Sequence, residues 1–288
     1  MIYLMDKIIV SSFYKYIDLN NLEEFQKEHL GFCKNLGIKG KILISKEGIN
    51  GTVSGTLKQI NEYETKILSY AEFSDIYFKR TLSDKHPFRK TIARIRDEIV
   101  SSNFGVEAKK AGNHLKPSEL KNLYDTNADF VIVDARNNYE SKIGKFKNAI
   151  TPDIETFRDF KKVVSDLRQY KDKKIVLYCT GGVRCEKASV LLIKEGFKDI
   201  NQVDGGILNY IEQYPGTYFE GRCFVFDDRL SIETGDVKDI TLCERCHEPC
   251  GEYTNCANTK CDKLFVCCRD CRIKFSNTCS KPCKNIIN

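Results

Sequence analysis

Residues Tyr178-Cys179-Thr180-Gly181-Gly182-Val183-Arg184-Cys185 decide how this chain is read. They lie between an apolar strand-like run, Lys174-Ile175-Val176-Leu177-Tyr178, and a helix-like run, Glu186-Lys187-Ala188-Ser189-Val190-Leu191-Leu192. A cysteine on a strand-to-helix turn faces a ring of backbone N–H groups at the positive end of a helix dipole. Both features favour a thiolate, or an anion carried on its sulfur. Gly181 and Gly182 let the backbone curl, because glycine takes positive φ without a steric penalty. Thr180, Gly181, Gly182 and Val183 form the anion cradle, and Arg184 adds a fixed positive charge. Cys179 and Arg184 are therefore the candidate catalytic residues. From Cys179 to Arg184 the loop has six residues, one fewer than the Cys-x5-Arg loop of cysteine phosphatases. The longer loop surrounds a tetrahedral phosphate, whereas the tighter one suits a single outer sulfur. A persulfide is expected in preference to a phosphocysteine. Cys185, next in the chain, is either a resolving thiol or a first-turn helix residue with no redox role.

Alternating strands and helices surround this loop. Ser118 to Tyr124 begins a helix, Phe130 to Asp134 is a buried strand, residues 155–170 are helical, Asp199 to Val203 is a strand and Gly206 to Tyr214 a helix. Near-continuous apolar strands between helices predict a parallel sheet covered on both faces. Upstream, the order is strand (Lys7 to Phe13), helix (Leu22 to Leu36), strand (Lys41 to Ser45), strand (Gly51 to Gly55), helix (57–69) and strand (Asp75 to Lys79). That βαββαβ order is ferredoxin-like, with a further strand expected over Lys90 to Val100. The chain divides into an α+β domain (1–100), a linker (101–117), an α/β domain (118–222) and a C-terminal module (223–288).

Of the 14 cysteines, ten fall in the last 46 residues. Met1 to Met5 is too short for a signal-peptide core, and no run approaches the roughly 18 apolar residues of a membrane span. The expected location is the cytoplasm, where thiols serve as metal ligands or reagents rather than structural disulfides. Cys243-x2-Cys246 and Cys268-x2-Cys271 have the spacing of a zinc knuckle pair. Zinc is expected ahead of an iron–sulfur cluster, and the remaining cysteines with His247 are candidates for a second site. The hydrophobic share of 41% is enough for a sizeable core, and the net charge of +6 is compatible with a polyanionic partner without requiring one.

Between Lys79 and Arg96, seven basic residues (Lys79, Arg80, Lys85, Arg89, Lys90, Arg94, Arg96) stand against one acid, Asp84, with Tyr77, Phe78, His86 and Phe88 interleaved. Such a stretch either contacts RNA, neutralising phosphates while an aromatic stacks on an unpaired base, or is a solvated strand face.

Asp134-Ala135-Arg136 closes the strand before the loop, and Val203-Asp204-Gly205-Gly206-Ile207 follows it. With the Cys179 loop, these residues resemble a rhodanese domain. In that family the Asp and Arg lock the strand ends, so Asp134 and Arg136 are read as structural support rather than catalysts. The usual Gly-His-Ile element is replaced by Ile143-Gly144-Lys145-Phe146. Lys46 to Thr52, Val133 to Asn137, Cys179 to Ala188 and Phe224-Val225-Phe226-Asp227-Asp228-Arg229 occur in an order similar to that of the rhodanese-containing tRNA uridine hydroxylase family. The resemblance covers essentially the whole chain and implies an acylphosphatase-like N-terminal domain. It also implies conversion of the tRNA wobble uridine (position 34) to 5-hydroxyuridine, with O2 as co-substrate, an external electron donor and Cys179 as a persulfide-type catalytic residue. The expected partner is tRNA, with no DNA and no membrane. Two other readings stay open: a rhodanese sulfurtransferase that passes persulfide sulfur to a small-molecule or protein thiol, which explains the loop equally well but leaves the basic stretch and the N-terminal domain idle, and a non-catalytic, zinc-dependent RNA- or ribosome-binding adaptor. No flavin, NAD or haem motif occurs, and the four histidines (His29, His86, His114, His247) form no evident facial triad.

Overall fold

The structure is a computed structural model that describes residues 7–287. The Met1 to Met5 stretch lies outside them. Strand β1 (Ile8–Tyr16), helix α1 (Leu22–Leu36), strands β2 (Lys39–Ser45) and β3 (Gly48–Gly55), helix α2 (Leu57–Leu68) and strands β4 (Lys79–Ser83) and β5 (Thr91–Ile95) build the first domain. Its sheet order is β4-β1-β3-β2-β5. The first four strands are antiparallel in the ferredoxin-like arrangement, and β5 adds on parallel to β2. Thr56 and Gln59 cap α2 reciprocally, and Gly37, at φ 76°, ends α1. Alternation along the strands sends Ile9, Phe13, Ile42, Ile44 and Val53 into the core beneath the helices. The opposite face carries Ser12, Tyr14, Lys41, Leu43, Asn50, Thr52, Lys79 and Thr81, and no helix of this domain covers it.

Two predicted strands are displaced. The fourth begins at Lys79 rather than Asp75, because Phe73 and Ile76 enter the core through a 3-10 turn at Ala71–Phe73. The fifth stops at Ile95, where the chain turns so that Glu98 accepts from the N–H groups of Ser102 and Asn103.

The second domain has a parallel sheet of order β6-β10-β9-β7, from β6 (Asn113–Leu115), β7 (Val131–Asp134), β9 (Lys174–Tyr178) and β10 (Asp199–Val203). Helices α3 (Pro117–Asp125) and α7 (Gly206–Gln213) cover one face; α5 (Phe160–Leu167) and α6 (Val183–Lys194) cover the other. The stretch 101–117, read as a linker, contributes β6 to the sheet edge. The predicted helix 155–170 is three pieces: 3-10 turns at Phe157–Asp159 and Arg168–Tyr170 flank α5. Helix α4 (Asn138–Ile143) and strand β8 (Gly144–Phe146) are additions that periodicity did not reveal.

The C-terminal segment pairs β11 (Phe219–Gly221) with β8, and then forms two hairpins, β12 (Cys223–Phe224) with β13 (Ser231–Ile232) and β14 (Tyr253–Asn255) with β15 (Leu264–Val266). Helices α8 (Arg269–Lys274) and α9 (Lys281–Ile287) end it. The chain is thus an α/β protein with a ferredoxin-like N-terminal domain, a parallel-sheet domain and a Cys-rich module. No helix of the described residues is long and apolar enough to cross a membrane.

Candidate active site

Strand β9 ends at Tyr178, Gly182 turns the chain at φ 102°, and α6 begins at Val183, so Arg184 and Cys185 occupy its first turn. The N-terminus of α7 pins the loop from below: the N–H groups of Ile207 and Leu208 donate to the carbonyls of Cys179 and Thr180 at 2.9 and 3.0 Å. This approach needs Gly206, where a Cβ would lie 2.4 Å from the Cys179 carbonyl oxygen. With its carbonyls held below, the loop turns N–H groups toward the sulfur, and Gly182 donates to Cys179 Sγ at 3.1 Å.

Burial of Cys179 opposes ionisation. A hydrogen bond from the Cys185 thiol, the Arg184 charge and the N–H groups of Arg184 and Cys185 outweigh it, bringing the thiol from its ordinary 9.0 down to about 6. Cys185 moves the other way: burial, then its hydrogen bond to the Cys179 sulfur, pushes it well above 9.0. Both sulfurs are free thiols. Of the two, Cys179 is the more acidic thiol.

Arg184 lines the cleft beside the loop but is already paired. Its guanidinium is buried against Glu140, donating to the two carboxylate oxygens at 2.5 and 2.8 Å, and Thr180 Oγ1 touches both residues at 3.3 Å. Arg184 therefore acts on the sulfur as a nearby charge and holds the loop from behind. Glu140 was missed by the sequence reading, although Asn137-x-x-Glu140 has capping-box spacing just after Asp134-Ala135-Arg136. Asp134 and Arg136 are fully buried and fork onto each other, and Arg136 also donates to the Gly144 carbonyl at 2.6 Å.

The helix-free face of the first sheet closes over the loop. Tyr14 donates to Glu186 at 2.8 Å, Tyr16 donates to the Val183 carbonyl, and buried Lys187 bonds Glu47 at 2.9 Å and Glu98 at 2.6 Å. These contacts explain the Lys46 to Thr52 motif: Glu47 clamps the helix that follows the cysteine, while Asn50, Gly51 and Thr52 line the space above it. Between the faces lies a cleft of about 380 Å³, with Cys179, Thr180 and Arg184 on one side and Lys41, Asn50 and Thr52 on the other. Phe88, Phe226 and Arg229 also line it. A cleft of this size admits one planar ring with its sugar.

The seven basic residues divide. Lys79 is buried, not exposed to a phosphate backbone; it lies over the Tyr14 ring at 5.0 Å, beside Gly181, and burial brings it down to about 8. Arg80 points to the helix face, where it pairs with Glu64 and donates to Asn61. Lys85, Arg89, Lys90, Arg94 and Arg96 are exposed. Arg94 shares the cleft-side face with Leu43, its register partner.

In the tail, the sulfurs of Cys243, Cys246, Cys268 and Cys271 lie within 4.8 Å of one another, and so do those of Cys256, Cys261, Cys279 and Cys283. Either set is able to hold a metal ion as four thiolates. His247 belongs to neither set.

Comparison with known proteins agrees with this three-part architecture. Residues 8–99 match the UPF0176 acylphosphatase-like domain, 116–213 the rhodanese-like domain and 220–284 the rhodanese C-terminal domain. A tRNA uridine(34) hydroxylase of Bacillus velezensis is 40% identical over 282 residues, which is 94% of this chain and 87% of that protein. One from Enterococcus faecalis is 39% identical over 285 residues, 96% of this chain and 90% of its own length. A rhodanese-like domain protein of Staphylococcus aureus aligns with 34% of this chain and 90% of its own, at 26% identity and a TM-score of 0.29. At such identity over nearly the full length, this chain belongs to the tRNA uridine(34) hydroxylase family.

Proposed function

We propose that this chain is an oxidoreductase of the cytoplasm that converts the wobble uridine, position 34 of tRNA, to 5-hydroxyuridine. Placing one oxygen atom of O2 on the base and reducing the other to water requires two electrons and two protons. An external reductant supplies them, since the sequence carries no flavin, NAD or haem motif. The observation that carries the reading is the position of Cys179, ionised near neutral pH, at the floor of a nucleoside-sized cleft roofed by a second domain.

In this reading the exposed cations from Lys85 to Arg96 hold the anticodon arm and admit one unpaired nucleotide to the cleft. Thr180, Gly181, Gly182 and Val183 form the cradle around the sulfur of Cys179, as thiolate or persulfide. Arg184 stabilises its charge from behind, Cys185 donates a hydrogen bond to it, and Asp134 with Arg136 supports the strand end. Cys243, Cys246, Cys268 and Cys271 hold zinc as a structural ion. A sulfurtransferase acting on small thiols would leave the N-terminal sheet without a task.

Nucleoside mass spectrometry of tRNA from cells with and without the gene tests the assignment. Loss of 5-hydroxyuridine in the deletion and in Cys179→Ser cells is expected. Full retention in Cys179→Ser cells that contain folded protein would overturn it.

A further inference from the structure

The ten tail cysteines fall into four short pairs and two leftovers. In chain order the pairs are Cys243/Cys246, Cys256/Cys261, Cys268/Cys271 and Cys279/Cys283. The structure joins the first pair to the third and the second to the fourth. The two clusters are therefore interleaved along the chain, and the β14–β15 hairpin bridges them, each of its strands following one pair and preceding the next.

Their internal geometry is alike. At a zinc–sulfur length of about 2.3 Å, two sulfurs of a tetrahedral site lie about 3.8 Å apart. Cys246 and Cys268 stand at 3.7 Å, Cys261 and Cys279 at 3.6 Å, and Cys279 and Cys283 at 3.8 Å. In each cluster the N–H of the third cysteine donates to the first sulfur at 3.4 Å, Cys268 to Cys243 and Cys279 to Cys256. Asn258 donates to Cys283 at 3.5 Å as well. Donors aimed at sulfur are what thiolate ligands of a metal receive, since they spread the charge of four anions. Such outer bonds do little for neutral thiols. Cys250 and Cys267 belong to neither cluster.

We propose that the tail is a two-zinc cross-brace, in which the second cluster, Cys256, Cys261, Cys279 and Cys283, is a full structural metal site interlocked with the first. Because each metal ties together segments that flank a ligand pair of the other, loss of one ion loosens both. The module also reaches the active site: Tyr253 donates to the Tyr139 carbonyl at 2.8 Å, next to Glu140, and Phe224 packs on Tyr139 with ring centroids 5.1 Å apart.

The test is metal counting on the full chain, purified from zinc-supplemented cells without chelator and weighed by native mass spectrometry. Two zinc ions per chain are expected. Cys261→Ser and Cys246→Ser should each carry one or none, and Cys250→Ser should carry two. One zinc in the wild-type chain, or two retained in a Cys261→Ser/Cys279→Ser double variant, overturns the proposal, as does an iron–sulfur chromophore in place of zinc. Should the variants fail to fold, cobalt(II) titration of the metal-stripped wild type decides. Two equivalents with the absorption of tetrahedral tetrathiolate cobalt support it; saturation at one equivalent refutes it.

Discussion

Arg184 closes a two-pronged hydrogen bond on Glu140, at 2.5 and 2.8 Å, with both side chains buried. The residue whose charge the sequence offers to an incoming anion is thus committed to a buried carboxylate. Its positive charge reaches Cys179 through space, and its position is set by α4. Breaking a buried pair of this kind leaves an uncompensated charge and costs about 3–5 kcal/mol. Glu140→Ala should lose stability on that scale in urea denaturation, and tRNA modification should fall with it. A change below about 1 kcal/mol would show that the pair does not hold the loop.

Cys179 should titrate as an acidic thiol. With its value at about 6, the rate of alkylation by a small reagent should rise through pH 6 and level off above it, and Cys179→Ser should lack that phase. A midpoint near the ordinary 9.0 would contradict the cradle. The same shift bears on stability. Between pH 6 and 9 the unfolded chain keeps a proton on this sulfur that the folded chain has lost, so the contribution of Cys179 to stability rises with pH across that window. It is fully present above 9 and lost as pH falls through 6.

Gly206 sits at φ 66° with the Cys179 carbonyl 2.4 Å from where a Cβ would be. Gly206→Ala should displace the loop and cost about 2 kcal/mol or more, through both the positive φ and the clash. The decisive readout is the alkylation profile, whose midpoint should move upward as the N–H groups lose their aim at the sulfur. Gly105, also at positive φ but with open space around it, is the control: alanine there should leave the profile unchanged.

The basic stretch makes a divided prediction. Arg94→Ala should weaken tRNA binding and reduce its salt dependence by about 0.7–0.9 in the log–log slope for each phosphate contact removed. Arg80→Ala should leave that slope unchanged, because Arg80 is already spent on Glu64. Filter binding over a range of salt concentrations measures both. Equal effects would mean that the two arginines face the RNA alike, against the strand register.

The elements followed the sequence where the signal is local. Leu22 to Leu36 has helical period and a glycine stop, and it is α1. Residues 174–178 are an apolar run and form a central strand. The failures have one physical origin. Asp75 to Lys79 alternates well enough for a strand, but Phe73 and Ile76 gain more from the core under α2 than from the sheet edge. Asn113–Leu115 carries no strand pattern and is a strand only because β10 offers it an open edge.

For the site, the sequence by itself determined the cradle: six contiguous residues between a strand and a helix dictate which N–H groups surround a sulfur. It also determined that the tail is rich in ligands, because spacing is a property of the chain. Tertiary structure alone decided who stands behind and above that sulfur. Glu140 lies 44 residues from Arg184, and Lys79, on the same sheet face as Arg94, is buried because Gly181 of the second domain packs beside it. It decided likewise which cysteine pairs meet, first with third and second with fourth. Backbone geometry is set by neighbours in sequence. Charge pairing and metal ligation are set by neighbours in space, and only the packed chain brings those together.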